Sequence, residues 1–359
     1  MFLEEDKNGC VEKKRVKVAV ILFNLGGPDS PQAVEPFLRN LFSDPAIISL
    51  PGIFRKPLAW WIAKRRAPIA QEIYAKIGGR SPILEETQAQ ARALEKALAG
   101  GEHEMRAFIA MRCWHPFAAG AVHAAKTWGA EQIVLLPLYP QFSTTTTESS
   151  FKNWEKEAAR AGLAASSVRI CCYPFAEGFI ESQAALIGEA LARRKPDVDY
   201  RLLLSAHGLP KRVIAKGDPY QWQVEQTAQA IVDKLGISGL DWRVTYQSRV
   251  GPLQWLTPAT DAEIRAAGHE GKGLIVAPIA FVSEHSETLV ELDIEYGELA
   301  RHSGVRDYLR VPTVSTQPQF VAALAELVTR ALHSGQTTTC AEARICPMTF
   351  TRCGHGTSP

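Results

Sequence analysis

The chain has 359 residues, with 40 lysines and arginines against 38 aspartates and glutamates, so its formal net charge is only +2. This balance leaves no extended basic surface, and nucleic acid is therefore an unfavoured partner. Apolar residues make up 46% of the chain and charged residues 22%. Such a composition is typical of a globular protein, and the length allows two domains. No apolar run reaches the roughly 18–20 residues of a membrane span.

The two ends of the chain differ in composition from the middle. Residues 1–15 are rich in charge and lack the apolar core of a secretory signal, so we expect a disordered N-terminus and a cytoplasmic protein. Seven cysteines in such a chain argue against a disulfide framework. Three of them lie in the last 20 residues, at Cys340, Cys346 and Cys353.

Apolar runs typical of buried strands alternate with segments of helical periodicity along the chain. The predicted strands are 17–24, 105–111, 132–138, 167–172, 201–206, 242–247, 273–280 and 308–311. The predicted helices are 31–42, 84–100, 116–128, 148–162, 177–194, 220–235, 259–268, 286–302 and 318–333. This alternation predicts an α/β fold with parallel sheets covered by helices on both faces.

A weak internal repeat supports two similar halves. Residues 20–28 resemble residues 202–210, and residues 134–139 resemble residues 275–280. We therefore predict two tandem Rossmann-like domains, each with a four-stranded parallel sheet, and a binding cleft at the carboxyl ends of the strands. The predicted boundaries are 16–158 for the first domain, 159–333 for the second and 334–359 for a cysteine-containing tail.

Three glutamates follow the predicted strand 273–280. Glu287, Glu291 and Glu295 are spaced four apart, so a helix places them on one face. Like charges at that spacing repel by about 0.2–0.5 kcal/mol per pair. The stripe is either a solvated acidic face or a site that handles a cation or protons. His285, two residues before Glu287 at a strand end, favours the site.

His207 lies just after another predicted strand and before Gly208, which allows a tight turn and close approach of a ligand. A histidine so placed either makes an ordinary hydrogen bond or accepts protons and binds a transition metal. Gly26 and Gly27 also follow a strand, but neither a Gly-x-Gly-x-x-Gly nor a Gly-Lys-Ser/Thr motif is present. No nucleotide cofactor is expected.

Residues 50–66 combine five cations and no acid with Phe54, Trp60 and Trp61. One interpretation is a packing helix whose cations reach out to solvent. The other is an interfacial patch that touches anionic lipid or a flat apolar ligand. We refer to residues 50–66 as the lip.

Several motifs together resemble one family. They are Leu25–Pro28, Ile77–Ile83, Tyr139–Ser143, Ser205–Pro210, Lys216–Tyr220, Tyr246–Pro252, Trp255–Pro258 and Ile279–Tyr296. Over residues 17–330 the chain resembles the ferrochelatases, lyases that insert Fe2+ into protoporphyrin IX in the last step of haem biosynthesis. The resemblance implies two flavodoxin-like halves with the porphyrin in the cleft, and a lip closer to that of protoporphyrin-type enzymes than to relatives that use coproporphyrin. Within the lip, Trp60 and Trp61 beside the cations of residues 64–66 indicate peripheral contact with the inner face of the membrane, where an apolar substrate resides.

The resemblance also implies roles for individual residues. His207 and Glu287 face each other across the pocket as iron-binding and proton-handling groups, with the assignment between them left open. Glu291 and Glu295 extend an acidic path toward solvent. The porphyrin contacts implied are Leu25, Tyr74, Ser81, Arg112, Ser248, Trp255 and Phe281. The chain departs from the family at Cys113, where an aromatic residue often follows the matching arginine.

Some ferrochelatases hold a [2Fe–2S] cluster with three carboxyl-terminal cysteines and one internal cysteine. The spacing of Cys340, Cys346 and Cys353 resembles theirs, and four thiolates are the usual set. The internal cysteine that some members place near Ser143 is missing. Cys172 is then the expected fourth ligand, with Cys171 as its alternative and Cys113 behind both. Two other readings stay open: zinc bound by the three tail cysteines and His355, or three reduced thiols on a loose tail.

Other activities fit parts of this pattern. A related chelatase would load cobalt or nickel into a different tetrapyrrole, since imidazole and carboxylate accept several divalent metals. A non-catalytic carrier of haem or another tetrapyrrole would need the cleft but not the acidic stripe. A periplasmic-type binding protein would need a signal peptide.

Overall fold

A computed structural model describes residues 15–249, 251, 253–341 and 343–356. The predicted disordered N-terminus, apart from Arg15, lies outside the described residues. The strands are β1 (Lys17–Asn24), β2 (Glu104–Met111), β3 (Gln132–Pro137), β4 (Ser166–Cys172), β5 (Tyr200–His207), β6 (Trp242–Gln247), β7 (Gly273–Pro278), β8 (Tyr308–Arg310) and β9 (Thr338–Thr339).

At least one helix lies between each pair of consecutive strands. The helices are α1 (Val34–Phe42), α2 (Gly52–Ala75), α3 (Ile83–Leu98), α4 (Ala118–Trp128), α5 (Thr147–Arg160), α6 (Glu177–Ala192), α7 (Lys211–Ile214), α8 (Tyr220–Leu235), α9 (Thr260–His269), α10 (Tyr296–His302) and α11 (Pro318–Ser334). A 3-10 turn, Pro31–Ala33, precedes α1, and a π-helix, Glu287–Glu295, precedes α10.

The strands form two parallel sheets, which confirms the predicted α/β class. The first has the order β2-β1-β3-β4-β9 and the second the order β6-β5-β7-β8. Central strands such as β1 and β5 are buried along nearly their whole length, because helices cover both faces. Their continuous apolar runs follow from that double burial.

The sheets differ from the predicted organisation in two details. The first sheet has five strands instead of four, because tail residues Thr338 and Thr339 pair with Ile170 and Cys172 of β4. The predicted boundary between residues 158 and 159 would also assign β4 to the second domain. Strand β4 pairs with β3 in the first sheet, so the sheet boundary falls after Cys172.

One continuous core joins the two halves. Buried apolar side chains from both sheets, among them Leu22 and Leu204, belong to the same cluster as Phe320 of α11. Helix α11 leaves the second half and packs against α3, α6 and β4. The carboxyl-terminal helix therefore fixes the two sheets relative to each other and delivers the tail to the first one.

Helix α2 carries most of the lip and was not among the predicted helices. It runs for 24 residues, with Pro57 and Pro68 inside it. It packs mainly against α1, and its buried residues are Ala59, Ala63, Ala67 and Tyr74. The remaining faces are open to solvent, and none of the described helices is long and apolar enough to cross a membrane.

Candidate functional site

The candidate site begins with a hydrogen bond between two strand ends. His207 is the last residue of β5, and Glu287 follows β7, its neighbour in the sheet. Nδ1 of His207 lies 2.7 Å from Oε2 of Glu287, with 36% and 25% of the two side chains exposed. The pair was expected to face each other across a pocket, whereas the structure places the two groups in direct contact.

The surroundings of this pair favour its charged form. Burial opposes charge on both groups, but their mutual attraction and hydrogen bond outweigh it. The pKa of His207 is therefore raised, and the pKa of Glu287 is lowered to about 2. Both shifts favour an imidazolium beside a carboxylate.

A second carboxylate lies behind the first on the π-helix. Glu291 accepts hydrogen bonds from the Ser248 N–H at 2.7 Å, from the Tyr296 hydroxyl at 2.9 Å and from the Gln247 amide at 3.2 Å. Burial, followed by repulsion from Glu287, raises its pKa. Glu291 is thus a fixed carboxyl group that takes up a proton more readily than an ordinary glutamate.

Ser248 connects the two carboxylates. Its hydroxyl donates to Glu291 and lies 3.3 Å from Oε2 of Glu287. Its backbone has φ 60°, a left-handed conformation that is uncommon for a residue other than glycine. Ser248 hydrogen-bonds with the two glutamates and with the Gln247 amide, and its expected contact with the porphyrin stays a prediction.

The third glutamate lies farther out. Glu295 pairs with Lys76 at 3.6 Å, and both side chains are about two-fifths exposed. The predicted order along the acidic path, from an inner Glu287 to an outer Glu295, agrees with these positions. Its role as a path stays a prediction.

The predicted helix 286–302 is instead a π-helix followed by α10. The backbone N–H of Tyr296 donates to the carbonyl of Glu291, five residues earlier. A spacing of four residues places side chains on one face in both kinds of helix, so the sequence did not distinguish them. π-Helical segments are rare and often lie at functional sites.

Aromatic and histidine side chains lie beside the pair. The Phe281 ring is 6.5 Å from the His207 ring and 4.8 Å from the His285 ring. His285 is buried, and its Nδ1 lies 3.0 Å from the Ser283 carbonyl oxygen. The Tyr74 hydroxyl lies 3.2 Å from that of Ser286, and burial raises the pKa of Tyr74 to about 12.

Trp255 belongs to the same end of the second sheet. It forms a backbone bridge with Pro210, and its ring lies against Gly208, where a Cβ would be 3.6 Å from the indole. Phe281, Tyr74 and Trp255 therefore lie on segments that meet the ends of β5 and β7. Their contact with a porphyrin stays a prediction.

The remaining expected porphyrin contacts lie in the first half. Ser81 is buried and so close to Gly27 that a Cβ there would lie 2.5 Å from the serine Cβ. Leu25 is partly buried against the cluster that contains Cys113. The cluster around Leu25 also contains Ala63 of the lip.

Arg112 already has an anionic partner. Its guanidinium forms an ion pair with the buried Asp44 at 2.8 Å and donates to the Ser149 hydroxyl at 2.8 Å. Sequence reasoning assigned Arg112 to the porphyrin and missed Asp44, which lies between predicted elements without a recognisable motif. Propionate binding by Arg112 would have to share the guanidinium with this carboxylate.

A second group of residues converges about the end of β4. Cys353 hydrogen-bonds with Cys171 and Cys346, and the amide of Gln223 lies 3.3 Å from the Cys172 sulfur and 3.0 Å from the Cys346 sulfur. We call Cys171, Cys172, Cys346 and Cys353 the thiol group. Hydrogen bonds from the neighbouring thiols lower the pKa of Cys353.

Cys340 lies beside the thiol group, and burial, followed by the neighbouring Cys172 thiol, raises its pKa. Its N–H donates to the Cys172 carbonyl at 3.2 Å, and its thiol hydrogen-bonds with the backbone of Phe175. His355 lies next to the thiol group in the chain, and neither of its buried ring nitrogens has a hydrogen-bond partner among the described residues. Within the described part of the chain, no group of three or more His, Cys, Asp or Glu side chains is already arranged as a metal site.

Comparison with known proteins adds independent information. A family model described as Ferrochelatase matches residues 17–332. The ferrochelatase of Phenylobacterium zucineum is 54% identical over 319 residues, covering 88% of this chain and 92% of that protein. The ferrochelatase of Pelagibacter ubique is 47% identical over 341 residues, covering 94% and 98%.

Two solved structures share the fold at low sequence identity. SirB from Bacillus subtilis with Fe3+ matches with a TM-score of 0.53 and 12% identity, covering 89% of this chain and 97% of that one. The sirohydrochlorin chelatase SirB from B. subtilis subspecies spizizenii, in complex with cobalt, matches with a TM-score of 0.53 and 10% identity over the same shares. Both likenesses concern the fold alone.

Proposed function

The chain belongs to the ferrochelatase family, an enzyme family of haem biosynthesis, and on that premise we propose that it inserts Fe2+ into protoporphyrin IX to give protohaem. The observation that carries the proposal is the hydrogen-bonded pair of His207 and Glu287, with Glu291 fixed behind it. The proposed reaction uses no nucleotide. The predicted rivals, a cobalt or coproporphyrin chelatase and a tetrapyrrole carrier, become outcomes of the test.

Metallation removes two pyrrole protons while the metal loses its water ligands. A proton acceptor must therefore lie beside the ring. In the proposed reaction His207 and Glu287 meet the ring, one as the iron-binding group and the other as the proton-handling group. Protons then pass by way of the Ser248 hydroxyl to Glu291, whose raised pKa suits it to receive them.

The pocket walls would hold the macrocycle out of its flat ground state. A flat porphyrin keeps its nitrogen lone pairs in the ring plane, so binding energy has to be converted into distortion. Phe281, Tyr74 and Trp255 are the proposed apolar walls. Ser81 and Arg112 are the proposed edge contacts, the latter with Asp44 as its partner in the same site.

The direct test is an anaerobic assay with Fe2+ and protoporphyrin in detergent. We expect a Soret shift to protohaem, and most of the turnover should be lost in His207→Ala and in Glu287→Gln. His269→Ala, on the exposed last turn of α9, is the matched control and should keep full turnover. Near-normal turnover in both His207→Ala and Glu287→Gln would show that the reaction does not depend on this pair.

The same assay separates the rivals. Faster turnover with Co2+ or Ni2+, or with coproporphyrin, would favour another tetrapyrrole chelatase. Retained haem without turnover would favour a carrier. The metal panel and the porphyrin panel should be run on the same preparation.

We further propose that the chain binds a [2Fe–2S] cluster at the thiol group. The support for this proposal is chemical: Cys171, Cys172, Cys346 and Cys353 supply four neighbouring thiols, and four thiolates are the usual requirement, although the described side chains are not yet arranged around a metal. When bound, the cluster would supply one-electron redox chemistry. Cys340 belonged to the predicted set, but its thiol contacts favour Cys171 in its place.

Colour and metal content test this proposal. Anaerobically purified protein should be red-brown with about two irons per chain. Cys346→Ser and Cys353→Ser should bleach it. Cys171→Ser should do the same, whereas Cys340→Ser should keep its colour if the contacts identify the ligands. Colourless protein with one zinc would favour the site with His355, whose free ring nitrogens would then have a partner.

We also propose that the lip attaches the enzyme peripherally to the cytoplasmic face of the membrane. Large apolar side chains stand out from α2, with Ile53 77%, Phe54 65% and Trp61 50% exposed. Lys64 lies over the Trp60 ring at 5.2 Å, and Arg65 over the Trp61 ring at 5.0 Å. Such a surface suits anionic lipid, where the cations meet headgroups and the rings meet the acyl boundary.

A further inference from the structure

Gln223 lies between the thiol group and the catalytic half of the molecule. It is in the first turn of α8 and is fully buried. Its Oε1 accepts the backbone N–H of Phe142 at 2.7 Å. Its Nε2 lies 3.0 Å from the Cys346 sulfur and 3.3 Å from the Cys172 sulfur.

The orientation of this amide is fixed by its partners. A backbone N–H can only donate, so the side of Gln223 that meets Phe142 must be its carbonyl oxygen. The NH2 group is thereby directed at the two sulfurs, and its two hydrogens match two acceptors. A thiol is a weak acceptor, whereas a thiolate or a metal-bound sulfur accepts more strongly because it carries negative charge. A buried amide in this position is therefore better matched to ligated sulfur than to free thiols.

The same helical turn reaches the catalytic pair. Tyr220, the first residue of α8, donates its hydroxyl to the His207 carbonyl at 3.0 Å. The Tyr220 N–H and the Thr144 N–H both donate to the buried Asp218. One rigid turn thus contacts the thiol group through Gln223 and the end of β5 through Tyr220.

We propose that Gln223 is the positioning residue of the sulfur centre: its amide donates N–H···S hydrogen bonds that hold the cluster and set its reduction potential. The inference rests on the proposed cluster. Hydrogen bonds to the sulfurs stabilise the reduced state, which carries one more negative charge. Removing them makes the reduced cluster less stable, and a carboxylate in their place makes it less stable still.

The test is a dithionite titration followed by electron paramagnetic resonance, with iron content measured on the same samples. Gln223→Leu should shift the midpoint potential to more negative values, and Gln223→Glu should shift it further. The matched control is Gln183→Leu, since Gln183 is equally buried in α6 and donates to the Pro278 carbonyl, not to a sulfur. Loss of iron from the Gln223 variants alone, with circular dichroism unchanged, supports the same role.

The possible failures are distinguishable. Wild-type protein without cluster iron would overturn the proposed cluster, and this inference with it. Wild-type protein with the cluster, and Gln223 variants with the same iron content and the same potential, would overturn only the role of Gln223. If Gln183→Leu shifted the midpoint potential equally, the effect would come from general packing and not from the hydrogen bonds to sulfur.

Discussion

At the scale of single residues, the charge on His207 depends on Glu287. Burial alone would lower the pKa of His207, and the neighbouring carboxylate reverses that effect. In Glu287→Gln the charge is lost while the burial persists, so the pKa of His207 should fall from its raised value to below the ordinary 6.5. An NMR titration that follows the His207 ring protons measures this pKa directly.

The control for this prediction is Glu291→Gln. Glu291 also raises the pKa of His207, but less than Glu287 does. A smaller fall is therefore expected. If Glu291→Gln retains turnover, the limb of its pH–rate profile that requires neutral His207 should also move to lower pH. An unchanged titration in Glu287→Gln would show that the two side chains do not interact in solution.

Ser248 gives a second prediction at this scale. If it links Glu287 to Glu291, Ser248→Ala should lower kcat by about tenfold and leave KM for porphyrin unchanged, because the N–H bond to Glu291 persists. Glu291→Gln should be similarly mild, since water can replace a conduit position. Glu287→Gln should cost at least ~10²-fold. If Ser248→Ala changed only KM, Ser248 would instead contact the porphyrin, as the sequence predicts.

The candidate site was partly predictable because its residues lie at strand ends. His207 ends β5, and Glu287 begins the helix that follows the neighbouring strand β7, so their convergence followed from topology. The partners of Arg112 and Glu291 could not be predicted from the topology. Asp44 and Ser248 come from other segments, and their contacts with Arg112 and Glu291 depend on tertiary packing.

At the scale of elements, the sequence predicted strands and helices with clear periodicity to within a few residues. Helix α2 was not predicted from periodicity, and a packing helix over residues 50–66 was only one of two interpretations, because its packing stripe consists of small alanines and large apolar residues occupy its solvent faces. Pro57 and Pro68 also argue against a helix on local grounds. A pattern that places tryptophan outside and alanine inside is the reverse of an ordinary amphipathic helix.

The lip supplies the prediction at this scale. Replacing Trp60 and Trp61 with serine should lower sedimentation with anionic liposomes several-fold, and rising salt should lower it for the wild type. Ile237→Ser, at an exposed apolar residue of the second half, is the matched control and should bind like wild type. Turnover on detergent-dispersed porphyrin should report whether the fold survives. If liposome binding responds neither to the tryptophan substitutions nor to salt, α2 acts only as a packing helix.

At the scale of the whole molecule, the tail connects parts that are distant in sequence. Thr338 and Thr339 extend the first sheet, while the Arg352 N–H donates to the Gly217 carbonyl of the second half at 3.1 Å. A two-residue strand carries no periodic signal, so neither the fifth strand nor the docking of the tail was predictable. The cysteine spacing indicated a metal centre but not which internal thiol would meet it.

Docking of the tail depends on a close contact at Gly354. A Cβ at this position would lie 2.1 Å from the ring of Phe142, which is 1% exposed and has no room to move away. Gly354→Ala should therefore displace the tail, expose Cys346 and Cys353 to a thiol reagent, and release any iron bound there. Gly120→Ala in α4, where a Cβ meets nothing within 4 Å, should leave thiol reactivity unchanged. If both variants react at the wild-type rate, the tail contact with Phe142 does not hold the thiol group in place.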